Sequence, residues 1–431
     1  MIEPFSSIKR DNMQLNKTLL ASTLALLSLN AHGAAFQLGE HSASGLGRAF
    51  AGEAAIAEDA SVLARNPALM SEFTSNQVSL MATYVKPDVS LKGTGAPAYA
   101  DASRLDDSSI APSAIIPAGY MIMPINEQFA FGFGAFSNFG LSTEFADDYV
   151  AGQLAGETEI VTVNMNASLS YKINQQFAIG GGLNYVYADA KIVRHFGTSP
   201  LSVPAQTEAA RLEGDDYGLG WNLGVSYEPS EGHRFGLHYR SETDIKFAGE
   251  YSNQLPAQIG GLQGQSLPGR VEITLPAMAE FSATHQLDQT IAIHYSLMWT
   301  EWSSFDKLEA FVPGRDAPVF HKQENFSNSW RYAIGADYQL NADTKLRAGI
   351  AYDKTPADEN HMSISIPDTN RLWFSVGANH QFSDASSLDL GVSILRGVNR
   401  RFDEADNLGQ VWQFESEGNA YLLAVQYNMA F

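Results

Sequence analysis

From about Gln77 to the last residue, apolar side chains recur at every second position over runs of ten or more residues. This feature restricts the fold more than any other. Val161, Val163, Met165, Ala167, Leu169 and Tyr171 alternate with Thr162, Asn164, Asn166, Ser168 and Ser170. After Lys172–Gln176 the pattern resumes with Phe177, Ile179, Gly181, Leu183, Tyr185 and Tyr187. A period of two marks a strand whose faces meet different surroundings. Strands of a soluble sandwich run about 5–6 residues, whereas these are long enough to cross a bilayer at a tilt. No apolar run reaches the ~18 residues that a spanning helix needs. The intervening residues are small, amide or Gly, which suits a watery lumen.

Six short polar turns separate the alternating segments: Pro124–Gln128, Lys172–Gln176, Glu228–His233, Asp288–Gln289, Asn341–Asp343 and Ser383–Ser386. Between these hairpins lie longer polar stretches, such as Ser303 through Asn328 and Gly397 through Gly418. Short turns at one end and long loops at the other are the asymmetry of outer-membrane barrels. Six hairpins, a first strand near Gln77–Leu91 and a last strand at Gly418–Phe431 predict an all-β transmembrane fold, a fourteen-stranded antiparallel barrel. Tyr171, Phe177, Tyr227, Phe235 and Phe382 sit at strand ends, where an interfacial aromatic girdle belongs. The chain ends on Phe431, and its last strand resembles the terminal strand that the barrel assembly machinery recognises.

The other bulk features exclude whole classes. The chain has 48 acidic and 27 basic residues, a net charge of −21, so no nucleic-acid partner is expected. There is no cysteine, which rules out a disulfide scaffold and thiol chemistry. No HExxH, GxSxG or Walker pattern occurs, so neither an enzyme, a cofactor nor a metal is expected. Leu19–Leu29 is an 11-residue apolar stretch preceded by Lys17 and followed by Ala31-His32-Gly33. That is a secretory signal peptide over residues 1–33, with Met13 as an alternative start. Residues 34–76 do not alternate: they are small, helix-prone and broken by Gly and Pro. They are expected to form a small helical hatch that plugs the lumen of a barrel spanning 77–431, since so wide a tube needs filling.

The run AAFQLGEHSASGLGRAFAGEAAIAEDASVLARNPALMSEF resembles the N-terminal hatch of the FadL-type outer-membrane long-chain fatty acid transporters. The likeness continues through PINEQFAFGFGAFSNFGLSTEF, YVYADAKIVRHFG, YGLGWNLGVSYE, VFHKQENFSNSWR, SISIPDTNRLWFSVG and QFESEG. It implies a fourteen-stranded barrel that takes up long-chain fatty acids passively, as a monomer. The ligand would leave sideways, through a gap in the wall, into outer-membrane lipid. Relatives carrying aromatic or other hydrocarbons are the alternative, and a hydrophilic porin a more distant one.

A fatty acid needs an apolar slot and a cation for its carboxylate. The strand parity after Lys172–Gln176 turns Ile192 and Arg194 inward at the outer end. The resemblance places the carboxylate site on Arg194 and Lys322, with Ile192 beside the ligand. Lys322 falls in an expected loop, where parity says nothing. Asn66-Pro67-Ala68 matches the hatch motif; Pro67 fixes φ, and Asn66 can bond local backbone. Ser137-Asn138-Phe139-Gly140 interrupts the third strand, as at a bulge. Family resemblance makes this the lateral gap, and pairing across the Pro124–Gln128 turn sets Ala114 opposite Asn138. The stretch between Phe196 and Tyr217 is shorter than the insertion that helps build an outer groove in well-known fatty acid members.

Overall fold

A computed structural model describes residues 35–431 except 202, 260 and 359. The expected signal peptide, and with it the choice of start, lies outside the described residues. Fourteen antiparallel strands close on themselves. They are β1 (Gln77–Gly95), β2 (Ala114–Pro124), β3 (Phe129–Phe136 and Gly140–Glu144), β4 (Gly156–Lys172), β5 (Phe177–His195), β6 (Glu208–Ser230) and β7 (His233–Arg240 and Thr243–Ser252). The circuit continues with β8 (Ser266–Leu275 and Met278–Gln286), β9 (Ile291–Thr300 and Lys307–Phe311), β10 (Phe320–Gln323 and Ser329–Asn341), β11 (Thr344–Asp353), β12 (Arg371–Ser383), β13 (Ser386–Gly397 and Arg400–Ala405) and β14 (Val411–Ala430). Closure is made by β14 on β1, from Gln77↔Ala430 to Gly95↔Gln413. Phe431 continues this seam, exchanging backbone hydrogen bonds with Asn76 at 3.0 and 3.1 Å.

All six expected turns join neighbouring strands on one side. The faces alternate as the lipid requires: Leu183 is 71% and Leu219 77% exposed, while Asn184 and Asn222, at inward positions of the same strands, are buried. Near the short turns, rings from successive strands form a belt on the wall. Phe177 stacks on Tyr227 at 4.4 Å, Tyr227 on Phe235 at 6.5 Å and Phe235 on Phe281 at 6.4 Å. At the opposite end the strands run farther than expected. Lys307–Phe311 and Phe320–Gln323 pair within the stretch read as the loop Ser303–Asn328, and Arg400–Ala405 pairs with β14 inside Gly397–Gly418. β6 likewise begins at Glu208, which shortens the loop after Phe196. These outer extensions stand above hydrocarbon, where both faces can be polar and period-two contrast fades.

Residues 35–72 lie inside the tube and are almost all buried. They contain two four-residue helices, α1 (Ala43–Leu46) and α2 (Val62–Arg65), and a 3-10 turn at Pro67–Glu72. Ser42 caps α1 by accepting from the Gly45 N–H at 2.9 Å. The small lumen-facing residues, expected to face water, are seats for this segment. A Cβ on Gly236 would lie 1.7 Å from the Ala54 carbonyl oxygen, and one on Gly349 2.1 Å from that of Arg48. Buried charges tie the segment to the wall. Arg48 pairs with Glu58 at 2.6 Å and with Asp337 of β10 at 3.3 Å. Arg347 of β11 pairs with Glu58 at 2.9 Å and Asp389 of β13 at 2.6 Å.

Candidate functional site

β3 changes register by one residue against β4, between Phe136↔Asn164 and Gly140↔Val161. The intervening Ser137, Asn138 and Phe139 form a bulge. Ser137 Oγ donates to the Thr162 carbonyl at 2.5 Å, and Thr162 Oγ1 donates to the Phe139 carbonyl at 2.7 Å. Pairing of β2 with β3 stops at Gly119↔Ala135. It runs two residues out of the expected register, so continuing it would set Ala114 level with Gly140, not Asn138. Among the described residues, Ala114 pairs with Val85 of β1 and has no ladder partner on β3. The wall is bonded again where the Glu144 N–H donates to the Ile110 carbonyl at 2.8 Å.

From inside, the N-terminal segment fills this break in the ladder. The Leu38 N–H donates to the Asn138 carbonyl at 2.7 Å, and the Gly140 N–H donates to the Phe36 carbonyl at 2.8 Å. Phe36 packs edge-on against Trp302 at 4.6 Å and Phe305 at 5.1 Å, beside Phe139 at 6.0 Å. Trp302 and Phe305 escaped the sequence reading because they fall in a break of β9 with no periodicity. Asn66 is fully buried; its Nδ2 donates to the Ala54 carbonyl at 2.7 Å and the Val225 carbonyl at 3.0 Å. Its Oδ1 accepts from the Ala68 N–H at 3.1 Å, and Pro67 opens the 3-10 turn.

At the outer mouth, Ile192, Arg194 and Lys322 come together. Ile192 packs with Leu212, Tyr251 and Leu308, and Phe320 lies against the same cluster. An apolar cleft lined by Ile192, Leu212, Phe247, Val271, Ile273 and Leu308 opens beside it. Arg194 is buried, with its guanidinium 5.9 Å from the Phe320 ring centre. It donates to the carbonyls of Glu157 at 3.1 Å and Val193 at 2.8 Å, and to Ser365 Oγ at 2.8 Å. Among the described residues it makes no ion pair. Lys322 is not in a loop but on the short outer piece of β10, opposite Leu308, and its Nζ bonds Glu404. Glu324, two residues on, is almost fully buried, and that burial pushes its carboxyl up to about 8. Neither acid carried a signal in sequence, since each becomes relevant only when β10 and β13 meet at the mouth. Among the described residues, no group of three or more His, Asp or Glu is placed to hold a metal ion.

A closed antiparallel barrel with a lipid-facing apolar wall, an internal N-terminal segment, and cations near an apolar cleft at its mouth defines an outer-membrane channel-forming protein. The chain belongs to the family described as outer membrane protein transport protein (OMPP1/FadL/TodX), whose model matches residues 24–431. It is 39% identical to the long-chain fatty acid transport protein of Salmonella typhi, over 96% of this chain and 98% of that one. It is 37% identical to outer membrane protein P1 of Haemophilus influenzae, over 97% and 100%. Among solved structures, a Pseudomonas aeruginosa FadL homologue superposes with a TM-score of 0.83 at 23% identity, covering 92% of this chain and all of that one. The Pseudomonas putida toluene transporter TodX gives 0.67 at 16% identity, covering 93% and all of that chain.

Proposed function

We propose that this protein takes up long-chain fatty acids across the outer membrane by passive diffusion. Ile192, Arg194 and Lys322 would receive the ligand at the mouth, and the gap at Ala114 and Ser137–Gly140 would release it sideways into the bilayer. The observation that carries this reading is the pairing of Phe36–Leu38 with Asn138–Gly140. The N-terminal segment thereby closes the break between β2 and β3. A lateral exit suits a ligand that water rejects by ~0.8 kcal/mol per CH₂, because the tail is never delivered into water. The names carried by relatives of 38–39% identity support the choice of ligand. In this reading residues 1–33 are the removed signal peptide, 34–76 the hatch turning at Asn66-Pro67-Ala68, and 77–431 a monomeric barrel assembled through the strand ending at Phe431.

Two experiments test it together. Arg194→Ala with Lys322→Ala should weaken oleate binding by tenfold or more, since a charge-assisted bond is worth ~1.5–3 kcal/mol. Ala114→Arg with Ser137→Arg should block uptake by cells and leave binding to purified protein intact. Unchanged oleate affinity in the first folded variant removes these cations from the site. Unchanged uptake through the second removes the lateral exit.

A further inference from the structure

The cation meant for the ligand's head group already holds a carboxylate. Lys322 Nζ bonds Oε1 of Glu404, a residue on the outer piece of β13 that is only 5% exposed. The other oxygen, Oε2, accepts from the Ile364 N–H at 2.8 Å. Ile364 belongs to a buried strand-free segment, 362–366, that dips into the mouth from the long connection between β11 and β12. The neighbouring Ser365 accepts from Arg194 at 2.8 Å, donates to the Leu154 carbonyl at 2.9 Å and receives Thr143 Oγ1 on its own carbonyl at 3.0 Å. Both head-group cations are therefore tied to one short segment, Arg194 through Ser365 and Lys322 through Glu404. Glu404 differs from an ordinary surface partner in two ways: it is desolvated, and both of its oxygens are engaged. Lys322 is half-buried and its partner is desolvated, so separating the two without another carboxylate at hand leaves charge unpaired in a poorly solvated mouth, at a cost.

We infer that Glu404 is an internal placeholder for the ligand's carboxylate. It occupies the acceptor position on Lys322 until an incoming acid exchanges with it. This rests on the reading of Arg194 and Lys322 as the head-group site, and it adds a selectivity rule. An amphiphile with a carboxylate can replace Glu404 one for one, so the charge facing Lys322 is conserved. An alcohol, ester or hydrocarbon of the same length cannot, and must bind with Glu404 in place. Exchange also frees the Ile364 N–H. Ile366, at the far end of the same segment, packs in the cluster that contains Ala35 and Phe36. Departure of Glu404 thus loosens the segment that abuts the seal at the β3 bulge.

The test compares oleate with oleyl alcohol on the purified full chain. Glu404→Gln keeps an acceptor for the Ile364 N–H but gives up the ion pair, so the ligand no longer competes for Lys322. Oleate affinity should rise on the order of tenfold, while oleyl alcohol should bind as in the unmodified protein. In Lys322→Ala, the added Glu404→Gln should bring no gain, because there is no cation to release. Glu404→Asp, a milder change that withdraws the carboxylate by one methylene, should give an intermediate gain and covers the case in which the amide variant does not fold. Oleate affinity that stays level or falls in Glu404→Gln overturns the placeholder, provided Lys322→Ala still weakens binding. An equal rise for oleate and oleyl alcohol overturns it too, as simple loosening of the mouth. If Lys322→Ala leaves oleate unaffected, it is the head-group reading itself that fails.

Discussion

Gly236 on β7 faces the lumen where the buried N-terminal segment comes closest to the wall. A methyl group there would stand 1.7 Å from the Ala54 carbonyl oxygen, 2.4 Å from its carbon and 3.1 Å from the Ala55 nitrogen. All three are backbone atoms, so no side-chain rotation relieves the clash. Restoring ordinary contact requires the segment to retreat by roughly 1.5 Å. Because Asn66 is also held to the wall by the Val225 carbonyl, a retreat at Ala54 stretches the bond from Asn66 Nδ2 to the Ala54 carbonyl, now 2.7 Å, beyond useful length. Overpacking of this kind costs ~1–3 kcal/mol, and a lost buried hydrogen bond adds ~1 kcal/mol. Gly236→Ala should therefore raise the population in which the segment has left its seat by roughly thirtyfold to several hundredfold. The barrel itself should be unharmed, because Ala is slightly better than Gly in a strand. Hydrogen exchange at residues 52–68 reads the seat directly, and conductance in a planar bilayer reads the opening of the lumen. Gly418→Ala is the control, since the nearest atom to its added carbon is Thr369 Cγ2 at 3.9 Å. Unmodified protection and conductance in Gly236→Ala would refute the idea that close packing against this strand holds the plug.

Arg48→Met should destabilise the buried segment by ~3–5 kcal/mol, because it leaves Glu58, Glu53 and Asp337 facing one another with less positive charge. Protease sensitivity of residues 40–70 in a barrel that stays folded is the expected signature; equal sensitivity to the unmodified protein would count against an ionic anchor. Burial, with Glu404 adding to it, raises the Glu324 carboxyl to about 8, while Lys322 and Arg194 oppose the rise. Because the folded value is raised, the stability it contributes is present below the ordinary carboxyl range and is lost as pH climbs through about 8. Over the same interval a second anion forms near Lys322 and Arg194. Oleate affinity should thus fall a few-fold as pH rises through about 8, and Glu324→Gln should remove that component from a binding titration. A pH profile identical in both proteins would exclude Glu324.

The lipid-facing half of this protein was written in its sequence. A bilayer core accepts only apolar side chains on the outward face, so Leu183, Leu219 and their neighbours carry a period-two record that needs no tertiary context. The same record set the parity that turned Ile192 and Arg194 inward. The short turns were equally legible, because a two- to five-residue connection leaves the chain little besides a hairpin. The inner half was decided only in three dimensions. Gly236 and Gly349 are small because the backbone of residues 54 and 48 lies against them, a demand that no periodicity records. Lys322 lacked parity because its strand piece is four residues long and stands beyond the hydrocarbon. The displaced register at Ala114 arose from the bulge and turn geometry, which hydrophobic patterning does not encode at single-residue precision. Glu404 and Ile364 are 40 residues apart and meet because the connection between β11 and β12 folds into the mouth against the outer piece of β13. Alternation records the solvent that each residue faces, and the lipid is the same for every strand. The contents of the lumen come from distant parts of the chain, so only closure of the barrel determines which of them touch.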